Sequence, residues 1–157
     1  MIPLSTKIKA ALLVGVLDIT AACTQYFIRT GKTPLNVLKF VASGVFGQKA
    51  LTGGAAMELA GLLFHFLIAG TFAFFFFWII PKLPFLRRNW LLAAILYGAF
   101  VWCLMNLIVL PLSNTPPLQR TASNIIQAML ILMVCIGLPL SLILHKSAHP
   151  SKQQMAF

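Results

Sequence analysis

Four stretches of the chain are almost wholly apolar, over residues 8–28, 57–80, 89–110 and 124–144. Each holds about 20 residues, which at about 1.5 Å per residue matches the hydrocarbon core of a bilayer, so each is predicted to be a spanning helix. Pro81 closes the second stretch and Pro111 follows the third, as expected of a residue that cannot continue the backbone ladder. A shorter apolar run, residues 34–47, cannot cross. Thr33-Pro34 offers it a helix start, an N-cap followed by proline at the first helical position. Gly44, Gly47, Gly53 and Gly54 then let the chain turn tightly into the second span. This run is expected to lie in the membrane interface, anchored by Lys39 and Lys49, or to dip in as a re-entrant piece over a cavity or pore. Residues 145–157 form a polar tail expected to fray. The pattern as a whole predicts one all-α domain over residues 1–157. Its fold class is an integral membrane four-helix transmembrane bundle with an interfacial or re-entrant helix between spans one and two.

Composition removes a soluble reading. The 157 residues are 60% hydrophobic and 9% charged, with a mean hydropathy of +0.94, whereas soluble domains carry about 25% charged residues. Twelve Lys and Arg against two Asp and Glu give a net charge of +10. The cations flank apolar runs, the arrangement that anchors helix ends to anionic lipid headgroups. The bilayer is therefore the expected partner, and nucleic acid is not. With four spans both termini share a side. Lys7, Lys9, Lys82, Arg87, Arg88, Lys146 and Lys152 lie on it, against Arg29, Lys32, Lys39, Lys49 and Arg120 on the other, which favours cytoplasmic termini.

Cys23, Cys103 and Cys135 fall inside apolar runs without a C-x-x-C pair, so they read as buried free thiols acting as small apolar residues. Lys7 and Lys9 ahead of an apolar run, with Thr20-Ala21-Ala22-Cys23 after it, faintly resemble a lipoprotein leader. Asp18 interrupts that run and Thr20 suits the cleavage motif poorly, so the segment is expected to be the first span. Among the aromatic residues, Phe74, Phe75, Phe76 and Phe77 point all round a helix. Lipid contact, with Trp78 at the interface, explains them better than a cofactor cage.

The polar positions inside the spans carry the candidate chemistry. Ala11, Gly15, Asp18, Ala22 and Gln25 form one stripe on the first helix; Gly54, Glu58, Gly61, His65 and Ala69 form another on the second. Small residues on a stripe let a neighbouring helix approach closely, so Asp18 is expected to face protein. At about 1.5 Å per residue Asp18 lies near 15 Å deep and His65 near 22 Å from the same side. That arithmetic sets His65 level with Cys23 and Gln25, about a turn away from Asp18. Glu58 falls near the outer end, within reach of Arg29 or Lys32. The third span adds Tyr97, Trp102 and Asn106; the fourth puts Ser123, Gln127, Gly137 and Ser141 close to one face. The candidate polar centre is Asp18, Gln25, Glu58, His65, Asn106 and Gln127.

Three readings fit that centre. In the first, Asp18 as the neutral acid and its polar companions hydrogen-bond between helices, and the protein is a self-associating bundle or an accessory subunit of a membrane assembly. In the second, Asp18 loads and unloads a proton in a small proton-coupled transporter or channel-like protein. In the third, His65 serves an enzymatic or cofactor site. His145 and His149 lie too near the terminal end to pair with it, and zinc lacks close-spaced ligands, so neither catalysis, a metal nor a cofactor is expected.

The runs Gly15-Val16-Leu17-Asp18-Ile19-Thr20-Ala21-Ala22, Ala42-Ser43-Gly44-Val45-Phe46-Gly47, Thr52-Gly53-Gly54, Leu62-Leu63-Phe64-His65-Phe66, Tyr97-Gly98-Ala99-Phe100-Val101-Trp102 and Asn106-Leu107-Ile108-Val109-Leu110-Pro111 resemble a group of small bacterial inner-membrane proteins, similar to the YagU-type family. The resemblance spans about residues 8–145. It implies a bacterial inner membrane and four spans, and carries no functional residues. The membrane glutathione and leukotriene enzymes fit worse: they need an Arg-Asn-acid pattern in the second helix, which here holds Glu58 and His65 and no Arg.

Overall fold

A computed structural model describes residues 2–117 and 121–148; Arg120, His149 and Lys152 lie outside the described residues, as does most of the tail. The described chain is helical, with α1 over Leu4–Thr30, α2 over Leu35–Phe46 and α3 over Gln48–Thr52. After them come α4 over Ala55–Lys82, α5 over Pro84–Arg88, α6 over Trp90–Leu112 and α7 over Ala122–Ser147. Four of these, α1, α4, α6 and α7, are long and apolar enough to cross a membrane, matching the four apolar stretches to within a few residues at each end.

Helix boundaries follow local chemistry. Gly31 adopts a left-handed conformation (φ 66°) after α1 and returns its N–H to the Phe27 carbonyl at 2.8 Å, a C-terminal stop that suits glycine. Pro34 stands just before α2 rather than inside it, and the Thr33 carbonyl, not its hydroxyl, accepts the first N–H, from Asn36 at 3.2 Å. Gly47 (φ 62°) ends α2. Thr121 caps α7 by accepting the Asn124 N–H at 3.4 Å.

Two helices are not regular throughout. Residues Met105–Val109 of α6 and Met133–Gly137 of α7 are π-helical, and each is followed two residues later by a proline, Pro111 and Pro139. A proline ring clashes with the carbonyl four residues back and supplies no N–H. Widening the preceding turn relieves that clash and turns every later side chain onto a different face. This corrects the single face expected for the fourth span. Gln127, before the π turn, meets α1, whereas Gly137, at its end, and Ser141, after it, meet α6, where Ser141 donates to the Trp90 carbonyl.

Packing is tight in the half of the bundle that holds the first turns of α1 and the last turns of α7. Ala10, Val14, Phe76, Ala93, Val101 and Leu140 belong to its buried core, crossed by a hydrogen bond from the Tyr97 hydroxyl to the Phe72 carbonyl at 2.5 Å. Phe76 and Phe77 are 0% and 5% exposed, which corrects their assignment to lipid. Phe74, Phe75 and Trp78 remain exposed, and Lys82 Nζ lies 3.6 Å over the Trp78 ring. Glycines set the closest approaches: a Cβ on Gly98 would strike the Met133 backbone, one on Gly137 the Ala94 carbonyl, and one on Gly61 the Leu38 carbonyl. The last contact seats α2 across α4, burying Leu38, Ala42 and Ser43. Cys103 is exposed and Cys23 and Cys135 are half-buried, so the three thiols are less enclosed than their apolar surroundings implied.

Candidate functional site: an apolar cavity around Asp18 and His65

The site begins where α1 and α4 meet at Gly15. The Phe66 ring occupies the space a side chain would take, 2.7 Å from the position of a Cβ, with the Ala69 methyl at 3.6 Å. This approach brings His65 onto the α1 backbone, its Nε2 lying 2.9 Å from the Gly15 carbonyl. A carbonyl only accepts, so Nε2 carries the hydrogen, and in the neutral ring Nδ1 is left as the acceptor. Asp18 follows Gly15 by less than a turn, so carboxyl and imidazole face the same space.

His65 therefore stands level with Gly15 and Asp18, a correction to the depth arithmetic that set it beside Cys23 and Gln25. The register comes from the fit of Phe66 and Ala69 on Gly15, and α4 runs on to Lys82 beyond the core. Counting from the ends of an apolar run cannot anticipate that offset. Asp18 is half-buried, as its stripe implied. Its electrostatic neighbours are His65 on α4 and Cys135 on α7.

Around these groups opens a cavity of about 290 Å³. Asp18, Ala22 and Gln25 line it from α1, and His65, Ile68 and Phe72 from α4. Trp102 and Asn106 contribute from α6, Ile131 and Ile136 from α7, and Phe40, Val41 and Gly44 from α2. Asp18 is the one acid on these walls, and no Lys or Arg among the described residues joins it. Three further recesses share walls with the cavity: an apolar one between α4 and α6, walled by Leu67, Phe75, Phe100 and Leu104, and two that lie toward the end of the bundle where α1 meets α2. Of these two, one runs past Ser113 and Thr115 to Pro116 and Pro117, the other past Gln25 to Arg29 and Asn124. In the opposite direction the packed core closes the bundle.

The remaining candidate residues divide. Gln25 donates Nε2–H to Gln127 Oε1 at 3.0 Å, tying α1 to α7 at the cavity wall. Asn106, in the π segment, donates to the carbonyl of Trp102 just before that segment, at 3.0 Å. Glu58 stands apart. It pairs with Lys39 of α2 at 3.4 Å, a correction to the expected partners Arg29 and Lys32, because α2 lies between Glu58 and the end of α1. Outside the original set, Ser113 and Thr115 join the wall, their hydroxyls 2.5 Å apart. The α2 face of Phe40, Val41 and Gly44 joins it too. Leu-Pro at residues 110–111 and 138–139 was the available signal for the π turns.

Among the described residues no three His, Cys, Asp or Glu side chains converge to hold a metal ion. The arrangement offers proton exchange and charge pairing inside an apolar enclosure. No protein-family model, no curated protein and no solved structure matches the chain.

Proposed function

We propose that this is a small multi-pass membrane protein in which Asp18 carries a proton in a transport or channel-like cycle, with His65 as its neighbour. One observation carries the proposal: Asp18 and His65 line the same cavity, whose walls continue into recesses at the α2 end of the bundle, while a packed core fills the other end. An intramembrane acid is costly to keep, by about 2.5–3.5 kcal/mol on insertion scales, and is retained mainly on ion and substrate pathways. Access from one side at a time is the property an alternating cycle needs. In this reading a proton arriving through the recesses binds the Asp18 carboxylate, and His65 Nδ1 is the next acceptor. Release on the far side requires the core around Phe76 and Tyr97 to loosen.

The same reading puts the chain in a bacterial inner membrane, as the YagU-type resemblance implies. Both termini are cytoplasmic, basic helix ends rest on anionic headgroups, and the cavity opens on the opposite side. Helix α2 lies at that mouth as an interfacial or re-entrant cover.

The test is proton flux. Purified protein in liposomes with a lumenal pH dye, driven by a potassium diffusion potential, should move protons, and Asp18→Asn should reduce the rate by at least about tenfold. Equal rates in the two would remove Asp18 from any pathway. The pair would then be a bridge between helices in a self-associating bundle or accessory subunit.

A further inference from the structure

We infer that the cavity takes a small organic monocation of one or two aromatic rings. The inference rests on the reading that Asp18 faces an accessible space, and adds the class of ligand. Size comes first. A cavity of about 150 Å³ holds one benzene, so about 290 Å³ corresponds to two fused rings. Wall chemistry comes second. Phe40, Phe72 and Trp102 present aromatic surface to the space, and ring faces attract cations but not anions.

Charge comes third. Gln25 spends an N–H on Gln127, Asn106 spends one on the Trp102 carbonyl, Ser113 donates to the Leu110 carbonyl, and His65 Nε2 is held by Gly15. Each of these groups thus spends at least one hydrogen bond on the protein itself, and the Asp18 carboxylate is the formal charge left for a guest. An anion would meet that carboxylate with no Lys or Arg beside it on the described walls. A sugar would find too few free donors to replace its water. A flat cation gains both the carboxylate and the ring faces. Proton and cation then compete for one carboxylate. The titratable groups facing Asp18 are His65 on α4 and Cys135 on α7; the lining residues of α2 and α6 carry none.

The test uses N-methylquinolinium, a fixed-charge two-ring cation, in equilibrium dialysis against the full chain in neutral detergent, with protein-free micelles as the blank. Wild type should bind it, and Asp18→Asn should bind at least about tenfold more weakly. The neutral isostere 1-methylnaphthalene should be indifferent to that change. Ala22→Phe keeps the carboxylate and fills the space, so it should lose both ligands. It decides the matter even if Asp18→Asn fails to fold. Unchanged quinolinium binding in either variant, or tighter binding of 1-naphthalenesulfonate than of the cation, overturns the assignment. Asp18-dependent proton flux without quinolinium binding would sink the ligand class and leave the proton reading. Binding without flux would do the reverse.

Discussion

Replacing Gly61 by alanine should lift α2 off α4 and open the mouth of the cavity. A Cβ at this position would fall on the carbonyl group of Leu38, far inside van der Waals contact with its oxygen. An ordinary carbon–oxygen contact needs about 3.3–3.6 Å, so α2 has to retreat by more than about 1 Å. A gap of about 0.5–1 Å already forfeits a quarter to a half of each dispersion contact. The face at stake includes the fully buried Ala42 and Ser43. Neither backbone can yield as a flexible side chain would. The cost should resemble overpacking of a core, about 1–3 kcal/mol, and the melting temperature in detergent should fall by several degrees. A sharper readout is Cys23, whose Sγ lies 3.6 Å from the Pro34 carbonyl at the start of α2. Alkylation followed by peptide mass mapping should find Cys23 faster in Gly61→Ala, while Cys103, already exposed, keeps its rate. Unchanged melting with unchanged Cys23 reactivity would mean that α2 floats free of α4, and the covered cavity would go with it.

Two further expectations use the same material. Tyr97→Phe deletes the buried hydroxyl that donates to the Phe72 carbonyl, and should cost about 1 kcal/mol in thermal or denaturant melting; a silent change would place that hydroxyl elsewhere. A double-mutant cycle on Gln25→Leu and Gln127→Leu should return a coupling near 0.6 kcal/mol, the average for polar pairs between membrane helices. Strictly additive losses would deny the bond between α1 and α7 at the cavity wall.

The number of long helices, their approximate ends and the turning of Asp18 toward its neighbours are written in local sequence. Apolar length sets a helix long enough to cross, and small residues every three or four positions mark the side where another backbone can come close. The stripe Ala11, Gly15, Asp18, Ala22 and Gln25 was legible for that reason. What meets what was not legible, because register between helices depends on three-dimensional fit. His65 reached Gly15 through the seating of Phe66, and Glu58 found Lys39 because α2 folded back over α4. The π turns ahead of Pro111 and Pro139 show the same limit within one helix. The prolines announce a disturbance, but only the assembled bundle decides whether the chain kinks, stops or widens, and so which partner Gln127 and Ser141 each face. Local sequence settles what a segment must bury, since that depends on its own side chains. Which surface buries it is a property of all four long helices at once, and the cavity, being the space they leave, belongs to the tertiary structure alone.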